Sequence, residues 1–116
     1  MAKILALHEI ELRPGVSAEA FEAFFAHEIG SEPIYPGWWA KLLKADRGER
    51  VGKYLVMFEI ESVAVRDRYF PTAGEQSEEA RQFTQHHPEI TAMFERWSTL
   101  TSPPGEIYTD YVVVGG

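Results

Sequence analysis

The chain has 116 residues, a length typical of one domain, and we expect a single domain over residues 1–116. Its 18 acidic and 11 basic residues give a formal net charge of −7, which repels phosphate backbones and argues against nucleic-acid binding. The absence of cysteine excludes disulfide scaffolds, and no apolar run approaches the roughly 20 residues that span a bilayer, so we expect a cytoplasmic protein.

The first predicted strand covers residues 3–13, where side chains of like character recur at every second position. One side of this strand carries Ile4, Ala6, His8, Ile10 and Leu12. This side is nearly all apolar, so we expect it to face the core. Pro14 and Gly15 then end the strand.

A helix follows, for which Ser17 is a plausible N-cap and Gly30 a natural C-terminal stop. Its aromatic and aliphatic residues recur at helical spacing, at Phe21, Phe24, Phe25 and Ile29. Pro36 and Gly37 mark a loop, after which strands are predicted over residues 38–45 and 53–60. The turn at residues 46–49 joins these two strands into a hairpin.

The second helical region is predicted to be interrupted. Ser62 caps a helix that runs to about Phe70, and Ser77 caps another after the break at Pro71 and Gly74. A further break is expected at Pro88, with that proline opening a new turn. Residues 102–105 read as a loop, and residues 108–114, rich in tyrosine and valine, as a final strand.

The element order β-α-β-β-α-α-β predicts an α+β, ferredoxin-like fold, with helices on one face of a four-stranded antiparallel sheet. The other face of the sheet carries large apolar side chains, namely Leu5, Leu7, Leu55 and Met57. So many apolar groups are rarely left in water, so we expect a second copy of the chain to cover them and to form a homodimer.

Four features occur in order along the chain: the alternating strand ending in Arg13-Pro14-Gly15, Phe21 in the first helix, Pro36-Gly37 before the second strand, and the Phe58-Glu59-Ile60-Glu61-Ser62 passage. In this ordered set the chain resembles the dimeric α/β barrel superfamily, which includes cofactor-free monooxygenases of antibiotic biosynthesis, EthD-like proteins and haem-binding members. The resemblance implies a ligand site inside each subunit, between the sheet and its helices. It also implies a polar ligand contact at His8 and, for a haem-binding member, a histidine ligand at His86 or His87.

His8 is the first candidate for a catalytic residue. An imidazole on an apolar strand face costs free energy unless its nitrogens are hydrogen-bonded or a ligand uses one. Two interpretations stay open: a core histidine bonded to a neighbouring group, or a base or hydrogen-bond donor in a pocket.

Seven further residues are candidates for the ligand pocket: Trp38, Trp39, Tyr54, Tyr69, Phe83, His86 and His87. Trp38 and Trp39 are neighbours on a strand and must point to opposite faces, one under the helices and one toward the dimer interface. For all of these residues, packing alone is the alternative interpretation. His86 and His87 point about 100° apart on a helix, so we expect no metal site there.

Three functions therefore stay open. The first is an enzyme that needs no cofactor, a small monooxygenase or isomerase that acts on an apolar or aromatic substrate. The second is a protein that binds such a small molecule without turnover, including a haem-binding member of the superfamily. The third is a structural dimer whose pocket is filled by its own side chains.

Overall fold

The computed structural model of the chain describes residues 2–102 and 108–115. The strands are β1 (Ile4–Leu12), β2 (Trp38–Lys44), β3 (Tyr54–Ile60), β4 (Thr101–Ser102) and β5 (Tyr108–Val112). The helices are α1 (Ala18–Phe24), α2 (Val63–Tyr69), α3 (Glu78–His86) and α4 (Pro88–Leu100). An α+β fold with an antiparallel sheet, curled into a half-barrel, is therefore confirmed. Within the described residues, no helix is long and apolar enough to cross a membrane.

The sheet places β1 at its centre. β3 pairs along one edge of β1, with Ile4 opposite Ile60, and β2 pairs in turn with β3. The other edge of β1 is shared, because β5 pairs with Ile4–His8 and β4 pairs with Glu11 and Leu12. The prediction of four strands is wrong in this respect, since two short strands share that edge.

The predicted loop at residues 102–105 is the source of this difference. Ser102 belongs to β4 and pairs with Glu11, and residues 103–105 lie outside the described residues. The final strand ends at Val112, two residues before the predicted end at Val114.

The alternation predicted for β1 is confirmed. Ile4, Ala6 and Ile10 are buried, and the residues paired with them on β3 lie on the same face of the sheet. Tyr54 and Val56 are likewise buried on this inner face. The aromatic residues of α1 pack against the same side, so the core lies between the inner face and the helices.

The first helix ends in a π-helical turn over Phe25–Ile29. Ser17 caps the helix as predicted, because its Oγ accepts a hydrogen bond from the backbone N–H of Ala20 at 3.0 Å. In the π turn the N–H of Gly30 donates to the carbonyl of Phe25 at 2.8 Å. Phe25 and Ile29, the first and last residues of this turn, are both buried in the core, and π turns occur frequently at functional sites.

The second helical region contains three helices, whereas the predicted element order counted two. Ser62 and Ser77 each accept a backbone N–H at the start of α2 and α3, as predicted. The predicted break at Pro88 is also confirmed, since Pro88 is the first residue of α4 and His87 closes α3. Residues 70–77 form the connection between α2 and α3, and residues 71–75 of it are exposed.

A tight turn at Gly37 sets the start of β2. Its φ of +84° suits glycine, and a Cβ there would lie 2.8 Å from Oε2 of Glu61 and 3.0 Å from Cγ1 of Val65. The carbonyl of Gly37 accepts the N–H of Glu61 at 3.0 Å. The turn thereby holds Trp38 against the first residues that follow β3.

Candidate functional site

A cavity of about 860 Å³ lies between the inner face of the sheet and the helices. This volume falls within the range of small-molecule sites. Its walls are mostly aromatic, and the rings that line it are those of Phe25, Tyr35, Trp38, Phe58, Phe70, Phe94, Trp97 and Tyr108. The polar side chains around it are few and include His8, Arg66, Asp67, Gln76 and Asp110.

His8 projects from β1 into this cavity. Its imidazole stacks on the ring of Tyr108 with centroids 5.0 Å apart, and meets the ring of Phe58 edge-on at 5.2 Å. Burial lowers the pKa of His8 below its ordinary value of 6.5, and the negative charge of Asp110 opposes this effect. Within the described part of the chain, no hydrogen bond engages its ring nitrogens. His8 is therefore a neutral imidazole near pH 7, available as a base or as a hydrogen-bonding group for a ligand.

Tyr35 and Trp38 form the wall of the cavity beside the start of β2. Their ring centroids lie 5.5 Å apart, and Tyr35 also stacks on Tyr69 at 4.8 Å. The Tyr35 hydroxyl accepts a hydrogen bond from Nε2 of Gln76 at 3.0 Å. Burial raises the pKa of Tyr35, so its phenol keeps its proton at neutral pH and can donate it to an acceptor.

Trp38 contains a buried donor without an acceptor. Its Nε1 is the one buried side-chain nitrogen or oxygen atom in residues 2–102 and 108–115 that lacks a hydrogen-bond partner. The indole is enclosed by rings on several sides, including those of Tyr35, Phe58 and Phe70. An unpaired N–H in such a setting costs free energy unless a water molecule or a ligand accepts its hydrogen bond.

An ion pair lies on the other side of His8. Nη1 of Arg66 is 3.1 Å from Oδ2 of Asp110, and Nε of Arg66 is 3.1 Å from Oδ1 of Asp67. Arg66 comes from α2 and Asp110 from β5, so the pair joins the helical layer to the edge of the sheet. All three residues line the cavity.

Of the predicted site residues, the structure brings His8 and Trp38 together in this cavity. Trp39 lies on the opposite face of the sheet and is 45% exposed. Tyr54 is buried beneath α1, and its hydroxyl donates to Glu22. Tyr69 lies behind Tyr35 and does not line the cavity.

Phe83 and His87 line a second, smaller cavity of about 420 Å³. Their rings stack at 4.1 Å, and Nδ1 of His87 lies 2.8 Å from the carbonyl of Phe83. His86 lies on the exposed end of α3, where its Nδ1 contacts the carbonyl of Gln82. In the described ranges, no group of three or more His, Asp or Glu side chains is placed to hold a metal ion.

Several residues of the main cavity were not singled out from the sequence, and among them are Tyr35, Arg66 and Asp110. Arg66 shares a helical face with Phe70 at i and i+4, so the inward direction of Phe70 was a usable signal. Asp110 shares a strand face with Tyr108, but both faces of that strand carry mixed side chains. Tyr35 lies in a predicted loop, where periodicity gives no direction.

Comparisons of the chain with protein-family models, with curated proteins and with solved structures found no match. The resemblance to the dimeric α/β barrel superfamily therefore stays a prediction. It agrees with the α+β fold, the curled antiparallel sheet and a cavity between the sheet and the helices.

Proposed function

We propose that the main cavity binds a flat, largely apolar or aromatic small molecule, and that His8 acts on it as a base. The observation that carries the proposal is the placement of an unbonded, partly buried imidazole in a cavity walled by aromatic rings. Such rings stack on a planar ligand at low entropic cost. A neutral imidazole whose pKa is lowered by burial suits proton abstraction near neutral pH.

The chemistry that follows is proton transfer. His8 takes a proton from an acidic C–H or O–H of the ligand and leaves a carbanion or a phenolate. Return of the proton to another carbon is an isomerisation and needs no co-reactant. In the oxygenation implied by the resemblance, dioxygen is the co-substrate: it adds to the carbanion with formation of a C–O bond, and the resulting peroxide takes the proton back from His8. Where the carbon bears a second hydrogen, loss of water from this hydroperoxide leaves a carbonyl, so one oxygen atom stays in the product and the other leaves as water. The superfamily members that this reaction concerns use no cofactor. Binding without turnover is the alternative, and a turnover assay distinguishes the two.

A blocking variant tests the binding step. Ala73 is exposed in the connection between α2 and α3 and lines the cavity, whereas Ala92 is exposed on α4 and does not line it. A panel of phenols and quinones with one to three fused rings is screened by thermal denaturation. We expect hits to raise the melting temperature of the wild type and of Ala92→Trp, but not of Ala73→Trp. A panel without hits, or hits that stabilise both variants equally, would contradict the proposal.

We also propose that a second copy of the chain covers the outer face of the sheet. This face carries the half-buried side chains of Leu5, Leu7, Leu55 and Met57 and the exposed side chains of Trp39, Leu43 and Tyr111. Its charges pair within the chain, since Glu59 contacts Lys3 at 3.3 Å and Glu9 contacts Arg50 at 2.8 Å. In a dimer with two-fold symmetry the same face of each subunit packs against that of the other, and a nearly neutral apolar face is compatible with such packing.

The oligomeric state tests this second proposal. Met57→Lys places a charge in the centre of the outer face, and Val63→Lys places the same charge on α2, at a side chain that is 38% exposed. We expect sedimentation velocity to give a dimer for the wild type and for Val63→Lys, and a folded monomer for Met57→Lys. A wild-type protein that sediments as a monomer at micromolar concentration would contradict the dimer.

A further inference from the structure

The strand register places a carboxylate beside His8. β5 runs antiparallel to β1, with Tyr108 opposite His8 and Asp110 opposite Ala6. Directly opposed residues lie on the same face of a sheet, so Asp110 is the next residue after Tyr108 on the face that carries His8. His8 and Asp110 both line the main cavity, and Asp110 is close enough for its charge to act on the imidazole.

Arg66 holds this carboxylate from the helical side. Its Nη1 lies 3.1 Å from Oδ2 of Asp110, and the two side chains are equally shielded, each with 27% of its surface exposed. The same guanidinium uses Nε to contact Asp67, whose side chain is 48% exposed. The carboxylate of Asp110 thus interacts with two groups. Arg66 is a cation at every ordinary pH, whereas His8 becomes a cation only when it takes a proton.

We propose that Asp110 is a positioning residue that stabilises the protonated form of His8, and that Arg66 limits this stabilisation by neutralising the same carboxylate. The proposal rests on the role of His8 as a base in the proposed function. A base that takes a proton inside an apolar cavity needs a nearby negative charge to offset the loss of water. A base that must be neutral before the reaction also needs that charge to be partly compensated. The Arg66–Asp110 pair supplies both conditions.

The other side chains that line the cavity come from the elements around His8. Those with a charge or a titratable group are Tyr108 and Asp110 of β5, Arg66 and Asp67 of α2, and Tyr35 before β2; those without are Phe58 of β3, Phe25 and Ile29 of the π turn, and Phe94 and Trp97 of α4. Glu9 also borders the cavity, but as the strand neighbour of His8 it points to the outer face of the sheet. Glu9 is paired with Arg50 at 2.8 Å. Asp110 is the carboxylate whose charge acts on His8.

The titration of His8 tests the proposal. Protein labelled with ¹³C-histidine is titrated by NMR, and the His8 ring signal is assigned by its absence from His8→Gln. We expect Asp110→Asn to move the titration midpoint of His8 down, and Arg66→Gln to move it up. Asp67→Asn is the matched control, because it removes a carboxylate from the same guanidinium; we expect it to leave the midpoint closest to that of the wild type.

The opposite signs separate this role from a structural one. If the ion pair only ties α2 to β5, Asp110→Asn and Arg66→Gln both lower the melting temperature and neither moves the His8 midpoint. That result would overturn the proposal. Midpoint shifts in the same direction in both variants would also overturn it. Asp110→Glu and Arg66→Lys keep the charge at each position. We expect both variants to titrate His8 with the wild-type midpoint, even where their melting temperature is lower than that of the wild type.

A second measurement distinguishes failure of this proposal from failure of the proposed function. A panel ligand is added to the labelled wild-type protein and the His8 signal is followed. If the ligand moves the His8 signal of the wild type, but the His8 titration midpoint is the same in the variants as in the wild type, the role of Asp110 and Arg66 is overturned and the binding site stands. Alternatively, the His8 midpoint shifts in the variants as expected, but no panel ligand moves the His8 signal. That result would support the roles of Asp110 and Arg66 and contradict the proposed function.

Discussion

The imidazole of His8 stacks on the ring of Tyr108 across the β1–β5 pair, with the two ring planes 11° apart. Phe58, on the other neighbouring strand, meets the same imidazole edge-on at an interplanar angle of 89°. Rings on both sides fix the plane of His8 and limit its contact with water. This setting explains the lowered pKa of His8 without any hydrogen bond to its ring.

Because burial lowers the pKa of His8, the stability of the fold depends on pH. The unfolded chain binds a proton at His8 near pH 6.5, whereas the folded chain binds it only at lower pH. Between the two values the unfolded state holds more protons, so the free energy of unfolding falls as pH decreases below about 6.5. We expect His8→Gln to reduce this fall, as measured by urea denaturation at pH 7.5 and at pH 5.5.

His86→Gln is the matched control for this measurement. It changes the same residue type on the exposed end of α3, away from the main cavity. We expect it to keep the wild-type difference between the two pH values. Equal differences for the wild type and His8→Gln would show that His8 is not responsible for the pH dependence.

Trp38 and Trp39 provide a direct test of which face of the sheet binds the ligand. Trp38 lines the main cavity and Trp39 lies on the outer face. A bound aromatic ligand quenches a neighbouring indole, so we expect the quenching to weaken in Trp38→Phe and to persist in Trp39→Phe. Fluorescence titration with a panel ligand measures both variants. The reverse pattern would place the ligand on the outer face.

Sequence patterning predicted the local structure of the fold well. Alternation on β1 identified Ile4, Ala6 and Ile10 as inward-facing, because a strand with one apolar face has one favourable orientation. Serine caps were equally informative, since an N-cap requires a short side chain with an acceptor, and Ser17 and Ser62 both act in this way.

The composition of the cavity was less predictable, because it depends on contacts between distant segments. Arg66 and Asp110 are 44 residues apart, and neither lies in a pattern that indicates a partner. The alternation of β3 indicated that Tyr54 points inward, but not that its hydroxyl donates a hydrogen bond to Glu22 on α1. Because of that bond, the hydroxyl does not face the main cavity. Short β4 was missed because two residues are too few to show a period.

Gly37 is expected to be sensitive to substitution for two separate reasons. An alanine there meets the strain of a φ of +84° and a close contact of its Cβ with Cγ1 of Val65 at 3.0 Å, whereas Oε2 of the exposed Glu61 side chain can move aside. Gly15 has nearly the same φ, +85°, with nothing within 4 Å of an added Cβ, so Gly15→Ala measures the backbone strain alone. We expect Gly15→Ala to cost about 1 kcal/mol of unfolding free energy and Gly37→Ala to cost roughly 1 kcal/mol more.

Chemical denaturation of the two variants gives both values. Equal losses would mean that Glu61 and Val65 move aside, and that the turn before Trp38 is not tightly packed. A larger loss in Gly37→Ala, accompanied by weaker binding of panel ligands, would connect this turn to the wall of the cavity.

The most direct test of the account compares the binding and the turnover of one panel ligand by the wild type and by His8→Gln. The dissociation constant is measured by calorimetry, and turnover is followed by loss of the ligand under air and under nitrogen. We expect the variant to bind within about tenfold of the wild type and to turn over about 10²–10⁴-fold more slowly, which is the usual contribution of a general base. Wild-type turnover in His8→Gln would contradict the assignment of His8 as the base.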